Sequence, residues 1–431
     1  MKQSILFLIV SLMLTGTLNA QQHMQVRGRV VDDATGEELP SVSIYVRDGQ
    51  GAITNFDGDF SFLAAPDDML RFSYIGYEKL TLPAASCPAV VRMKPLTVTM
   101  SEVMVRSGTN LLELVAARLT KEWKSSRRKS GNYFYRLSSV YSRRLELAES
   151  FIKARSAINL RDLRFLRGLR GQFSDRGFDA SLMDSTNQHF LTALAPMTHE
   201  APFWDDCIIP LNDLKQYQTF YDTQVEELTD EDGTIIYRIH LSRNDRPMLH
   251  IPYLEGTFYV AQKNLRLLRF EGDMRDLQIK VVGGGRSYML PIDVHLNIVY
   301  RVKRRSTLVN HMAVRIQKDF LTTRSMLFNI DDVKFRHLRG KSPLTNMLHS
   351  IDEAGYDSTL WAVSNIVMRT NEEEAAAFSD STGFMPDLSD RRLDPVLLNV
   401  RRMLIQRDML IPLRPSKKEI RKEDEDELLM P

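Results

Sequence analysis

The sequence predicts a mainly β protein with some α: a β-sandwich at the amino-terminal side, then a curved antiparallel β-rich α+β domain with peripheral helices towards the carboxyl end. Three observations carry that reading. From Gln25 to about Lys94, short alternating strands are punctuated by turn residues every ten or so positions. Leu111, Val115, Leu119 and Trp123 recur every four residues, the spacing of one helix face. From about Trp204 to Phe335, apolar alternating runs return, joined by short polar turns.

Composition sets the bounds. The chain has 431 residues, 57 Lys and Arg against 55 Asp and Glu, 43% hydrophobic residues, two cysteines and a mean hydropathy of -0.26. That balance excludes a disordered chain, a collagen-like repeat, a disulfide-dense miniprotein and a polytopic helical membrane protein. At about 100 to 200 residues per domain, two or three domains are expected. The net charge of +2 points to no particular partner.

Residues 1–20 read as a signal peptide. Lys2 supplies a short positive start, Ile5 to Thr15 is an apolar stretch too short to span a bilayer, and small residues lead to Ala20. A buried amino-terminal helix or a membrane anchor is the alternative. The mature chain then starts near Gln21, with no cysteine near the cleavage point to carry a lipid. Export puts Cys87 and Cys207 in an oxidising compartment, where they either pair or serve as small buried hydrophobes. Neither has a Cys-x-x-Cys neighbour.

Residues 21–98 form the sandwich. Val26, Gly28 and Val30 alternate with Arg27 and Arg29; Val42, Ile44 and Val46 with Ser41, Ser43 and Tyr45; Leu70, Phe72 and Tyr74 with Arg71 and Ser73. Turn chemistry separates them at Asp33 to Gly36, Asp48-Gly49, Asp57-Gly58 and Ala65 to Asp68. Asn55-Phe56-Asp57-Gly58-Asp59 has the look of a calcium-loop fragment, but it lacks a distal bidentate Glu and sits where the sandwich needs a tight turn.

Four segments carry a family resemblance: Gly28-Arg29-Val30-Val31-Asp32, Thr35 to Pro40, Ala52 to Phe60, and Phe72-Ser73-Tyr74-Ile75-Gly76-Tyr77-Glu78. Together they resemble the carboxypeptidase-regulatory-like domain, which implies an Ig/transthyretin-like β-sandwich. The wording of the last segment, with Ser101 to Val105 after it, is similar to that of exported proteins of Bacteroidota. There the domain precedes the plug of TonB-dependent outer-membrane transporters. Only about 325 residues follow Val105, with no plug and too little length for a 22-stranded barrel, so the resemblance is to shorter relatives with a β-rich envelope domain.

Catalytic templates fail in turn. None of the nine histidines begins His-x-x-Glu, and no His-Glu-x-x-His appears despite His199-Glu200. His240, His295 and His311 fall in strand-like segments, where structural histidines are the expectation. Gly285-Arg286-Ser287-Tyr288-Met289 lacks the second glycine of a nucleophile elbow, and Gly283-Gly284-Gly285 reads as a hairpin or bulge. Asp205-Asp206 and Asp230 to Gly233 read as a loop and a hairpin tip. No catalytic, cofactor-binding or metal residue is assigned, and no cofactor is expected.

Residues 99–130 are a linker and an amphipathic helix, opened by a capping box at Asn110-x-x-Glu113 and running to about Lys124. Its stripe packs on the following domain; a membrane-surface helix is the alternative. The stretch 118–170 holds 15 Lys and Arg against four Asp and Glu, a net +11. It either meets anionic lipid or another acidic envelope partner, or is neutralised by acids elsewhere in the fold. Nucleic acid is not expected for an exported chain. Leu160-Arg161, Leu163-Arg164, Leu166-Arg167 and Leu169-Arg170 repeat every three residues, which holds no single helix face and suggests a short basic helix or an irregular loop.

Residues 131–340 make a β-rich envelope domain, with a meander of strands from Ile235 to Phe320. Gly256-Thr257-Phe258-Tyr259-Val260 followed by Asn264 to Phe270 resembles the half-barrel domains of periplasmic lipid and lipoprotein carriers, which implies a concave face for an acyl chain. A sheet closed by its own helices is the alternative. An outer-membrane barrel is disfavoured, because Arg301 to Arg305 put charge on both strand faces and the chain ends in an acidic tail. Residues 341–415 read as helical, with Asp394 and Pro395 opening one helix, and 416–431 as a disordered charged tail.

The expected function is a noncatalytic exported binding or scaffold protein at the periplasmic side of the outer membrane, its partner an envelope protein or outer-membrane complex. The alternative is a periplasmic lipid or lipoprotein carrier.

Overall fold

A computed structural model of the chain describes residues 24–46, 51–99, 108–125, 130–141, 144–156, 160–172, 218–230, 232–245, 253–283, 286–303, 306–318, 321–330, 368–371 and 373. The chain divides into two compact units, Met1–Leu96 with Ala362–Thr370, and Thr97–Trp361 with Asn371–Pro431. The signal-peptide segment, Cys207, Asp205-Asp206 and the helix opened by Asp394 lie outside the described residues, as does the charged tail.

The described residues of the first unit form a sandwich of seven strands: β1 (Met24–Asp32), β2 (Ser43–Tyr45), β3 (Gly51–Ile53), β4 (Asp59–Ala64), β5 (Met69–Ser73), β6 (Leu80–Pro83) and β7 (Val90–Met93). One sheet has the order β4-β1-β7, the other β3-β2-β5-β6. β1 lies antiparallel to β4 and parallel to β7. Alternation does what it should in β4 and β5: Phe60, Phe62, Ala64, Leu70 and Phe72 are buried. The Phe60 and Phe72 rings, one from each sheet, meet edge to face at 5.6 Å. β2 is shorter than the alternation of residues 41–46 suggests, since Ser41 sits at φ 68 and Ser41, Val42, Ser43 and Ile44 are all buried.

The second unit holds β8 (Val98–Thr99), helix α1 (Gly108–Ser125), β9 (Gly131–Tyr141), β10 (Arg144–Ser156), β11 (Arg161–Gln172), β12 (Tyr221–Thr229), β13 (Ile235–Arg243), β14 (Tyr253–Ala261), β15 (Arg266–Gly283), β16 (Arg286–Lys303), β17 (Ser306–Lys318) and β18 (Leu321–Asn329). Among the described residues, eleven strands form one open sheet in the order β11-β10-β9-β18-β17-β16-β15-β14-β13-β12-β8. β12 to β18 are a meander, with hairpin tips at Asp230 to Gly233 and after Gly283. β18 then pairs with β9, Leu327 opposite Tyr135, and so ties the end of the meander to the strands that precede it.

One correction concerns 161–172: Arg161–Gln172 is a strand, neither a basic helix nor an irregular loop. The three-residue repeat hides the strand because the pairing of β11 with β10 shifts register twice. A second concerns the start of α1. The helix begins at Gly108, so Asn110 is its third residue rather than its cap. The first residue packs closely, since a Cβ at Gly108 would come within 2.7 Å of Thr223.

Helix α1 buries Leu111, Leu112, Val115, Ala116 and Leu119 in one apolar cluster with residues of β9 to β17. Its first residue lies against Thr223 of β12, and near its other end the Glu122 carboxylate accepts from the Thr307 amide of β17 at 2.8 Å. β12 and β17 are five strand spacings apart, about 24 Å. Eighteen residues of helix span about 27 Å, so α1 runs across the strands as a strap. The face it covers is the inner face, and Trp123 of the stripe has no described side chain.

Candidate binding surfaces of the large sheet

The inner face is apolar over β9 and β14 to β17, with Tyr133 and Tyr135 on β9, Phe258 on β14, Phe270 on β15, Leu296 on β16 and Val314 on β17. Burial of this kind is the main favourable contribution to a fold, at about 25 cal/mol per Å² of apolar surface. The alternate residues of the same strands form the outer face, and these carry the polar chemistry.

Register aligns them in rows. Glu255, Asp273, His295, Arg315 and Arg324 are successive partners across β14 to β18, and Ser138 of β9 follows. The row begins acidic and ends basic. Asp273 Oδ1 lies 2.9 Å from His295 Nδ1. Arg275 donates to Asp273 at 2.8 Å and to Asp293 at 2.9 Å, with Glu255 at 3.7 Å. The hydrogen bond to His295 holds the Asp273 carboxyl below the usual carboxylate range, against the opposing effect of burial; the charges of His295, Arg275 and Arg315 act in the same direction.

The next row runs Asn297, Ala313, Met326, Arg136 and Glu149. Arg136 Nε donates to Glu149 Oε1 at 2.7 Å, with side-chain exposures of 4% and 0%. Glu373 reaches the same arginine at 3.6 Å and accepts from the Ser138 hydroxyl at 2.8 Å. The outer face is thus half-buried and charged over β14 and β15, and buried over β9 and β10.

Among the described residues, two further histidines lie in the strands. His240 Nδ1 lies 3.2 Å from the Thr257 hydroxyl, and the buried His311 ring stacks on Phe328 with centroids 6.5 Å apart. Among the described residues, no group of three or more His, Cys, Asp or Glu is placed to hold a metal ion, and no helix is long and apolar enough to cross a membrane.

Among the described residues of the basic stretch, Arg118 meets Glu122 at 3.0 Å, and Arg136 meets Glu149 and, from outside the stretch, Glu373. Sequence reading missed the Asp273, Arg275, Asp293 and His295 cluster. The available signal was the alternation of Asp273 with Arg275 and of Asp293 with His295 on neighbouring strands.

In the sandwich, the signature residues act as pins. Asp32 Oδ1 accepts from the amides of Ala34 at 2.7 Å and Thr35 at 2.9 Å, and Oδ2 accepts from the Tyr77 hydroxyl at 2.8 Å. Arg29 holds Asp59 through two bonds of 2.6 and 3.0 Å across β1 and β4. Asn55 Oδ1 accepts from the amides of Asp57 and Asp59, both at 2.9 Å, which closes this segment as a tight turn. Thr54 Oγ1 accepts from Val42 N and donates to Leu39 O. Cys87 is half-buried, and burial pushes its thiol pKa up.

Residues 26–105 match the family of the CarboxypepD_reg-like domain. Over 102 residues the chain is 36% identical to the TonB-dependent receptor SusC of Bacteroides thetaiotaomicron, a match over 23% of this chain and 10% of the receptor. The chain therefore spans about a tenth of the length of that relative. Among solved structures, a DUF1329 family protein from Desulfovibrio piger is similar at 12% identity and a TM-score of 0.22, over 54% of this chain and 98% of its own. A LolA superfamily protein from Nitrosomonas europaea is similar at 10% identity and a TM-score of 0.20, over 53% of this chain and 96% of its own. Scores of that size carry no argument. The sandwich pins and the sequence match agree: residues 26–105 are a CarboxypepD_reg-like domain, similar to the corresponding region of a TonB-dependent receptor.

Proposed function

We propose that the chain is a noncatalytic, exported cell-envelope protein that binds or scaffolds other components at the periplasmic side of the outer membrane. The match to a TonB-dependent receptor supports the envelope setting. Support for a noncatalytic role comes from the outer-face charges, which are spent on one another: Asp273 on His295 and Arg275, Glu149 on Arg136.

The observation that carries the reading is the α1 strap. A carrier of acyl chains needs its apolar sheet face open to a ligand, and here Leu112, Val115 and Leu119 of α1 share one core with that face. The carrier alternative would require α1 to leave, at the cost of exposing the apolar surface on both sides.

Native mass spectrometry with lipid extraction tests this on residues 21–431 purified from their own envelope. The scaffold reading expects the bare mass and, in the cell, crosslinks to envelope proteins. A stoichiometric acyl lipid or lipopeptide in the extract would replace it with the carrier reading.

A further inference from the structure

The outer-face row changes sign as it crosses the sheet. Its acids are held close by: Asp273 by His295 at 2.9 Å and Arg275 at 2.8 Å, Asp293 by Arg275 at 2.9 Å, and Glu373 by the Ser138 hydroxyl at 2.8 Å and Arg136 at 3.6 Å. Past His295 the row continues with Arg315 of β17 and Arg324 of β18, which are direct cross-strand partners. Side chains so placed have Cβ atoms about 5 Å apart, and like charges at that spacing destabilise a sheet. Arg315 is exposed, and among the described residues no hydrogen bond or ion pair holds its guanidinium; its charge acts on Asp273 from a distance. Arg324 is half-buried and has contacts of its own, but a guanidinium carries five N–H donors.

We propose that Arg315 and Arg324 hold a phosphate monoester group between them. A carboxylate has two oxygens and one charge, and a single guanidinium fork satisfies it. A phosphate monoester brings three acceptor oxygens and a charge of about -1.5 to -2 at neutral pH, so one group accepts from both forks and offsets both cations.

The neighbours on this face do not compete for the two forks. The next row on one side is the buried, apolar pair of Ala313 and Met326, and on the other the uncharged pair of Gln317 and Thr322. The group is the same whether a small soluble molecule or a lipid headgroup carries it. This goes beyond the scaffold reading and does not rest on it.

Phosphorus NMR of inorganic phosphate, titrated with residues 21–431 at constant ionic strength, decides the matter. R315Q and R324Q should each weaken binding at least tenfold, whereas K121Q, which removes an exposed cation of α1, should leave it unchanged. Far-UV circular dichroism checks that each variant is folded, and the exposure of Arg315 makes R315Q the safer of the two. Acetate should bind at least tenfold more weakly than phosphate. Sedimentation with phosphatidylcholine vesicles, with and without phosphatidic acid, then identifies the source. Pelleting that needs both phosphatidic acid and Arg315 assigns the group to a lipid; phosphate binding without such pelleting assigns it to a soluble monoester. Binding to neither phosphate nor phosphatidic acid overturns the proposal. An equal loss in K121Q and R315Q overturns it too, as an effect of overall charge. So does acetate binding as tight as that of phosphate, which would assign the two arginines to a carboxylate.

Discussion

The Tyr77 hydroxyl donates to Asp32 Oδ2 across 2.8 Å, joining the first and last segments of the sandwich signature. Burial alone would raise the Asp32 pKa, but the bonds from Thr35, Tyr77 and Ala34 outweigh it and hold the carboxyl below its ordinary value. A folded pKa below the unfolded one contributes stability that is fully present above the ordinary aspartate range, about 3.9, and is lost as pH falls through the folded value. Tyr77→Phe should raise the Asp32 titration midpoint and cost about 1 to 2 kcal/mol at neutral pH. Carboxyl NMR titration and urea unfolding check both.

Two glycines with the same backbone sign should respond differently to alanine. Gly58 sits at φ +74 and a Cβ there would meet Val30 O at 2.6 Å, whereas Gly36 at φ +76 has nothing within 4 Å. Gly36→Ala should cost about 1 to 2 kcal/mol, the left-handed backbone alone. Gly58→Ala should cost clearly more, read as a larger drop in urea midpoint.

The buried pair of Arg136 and Glu149 gives a sharper test. Arg136→Met leaves Glu149 and Glu373 without that cation and should destabilise the second unit by about 3 to 5 kcal/mol. Changing Glu149 to Met in the same chain should recover part of the loss, because the stranded charge goes with it. A double-mutant cycle by chemical unfolding measures the coupling.

Much of the fold was legible because one face of each strand met solvent. Phe60 and Phe62 alternate with Asp59 and Ser61, and β12 to β18 announce themselves through polar tips such as Asp230 to Gly233. β9 gave no such signal: Tyr133, Phe134, Tyr135 and Arg136 are all buried, so the alternation that marks a half-exposed strand is missing. β11 was masked differently, by register shifts that turn a strand into a three-residue repeat. The outer-face cluster was hidden by a bulge near Asp276, at φ 56. Counting back from Gly283 opposite Arg286 would set His295 against Met274, but the shift between Met274 and Leu277 sets it against Asp273. Such one-residue irregularities arise from tertiary packing, and composition does not encode them.

The α1 strap predicts a contrast within one helix. Leu112 is fully buried and Leu114 is 49% exposed. Leu112→Ala should cost about 2 to 5 kcal/mol, and Leu114→Ala no more than about 0.5 kcal/mol. Thermal and urea unfolding of the two variants checks the difference.

The central claim is that the apolar inner face is permanent core and no ligand groove. Native-state hydrogen exchange of Leu111 to Leu119 against strands β13 and β14, across a series of low denaturant concentrations, tests it most directly. The account predicts that the helix and these strands open together, with one free energy and one denaturant dependence. A helix that exchanges through its own, lower opening while β13 and β14 stay protected would contradict it, and would make α1 a lid over a binding face.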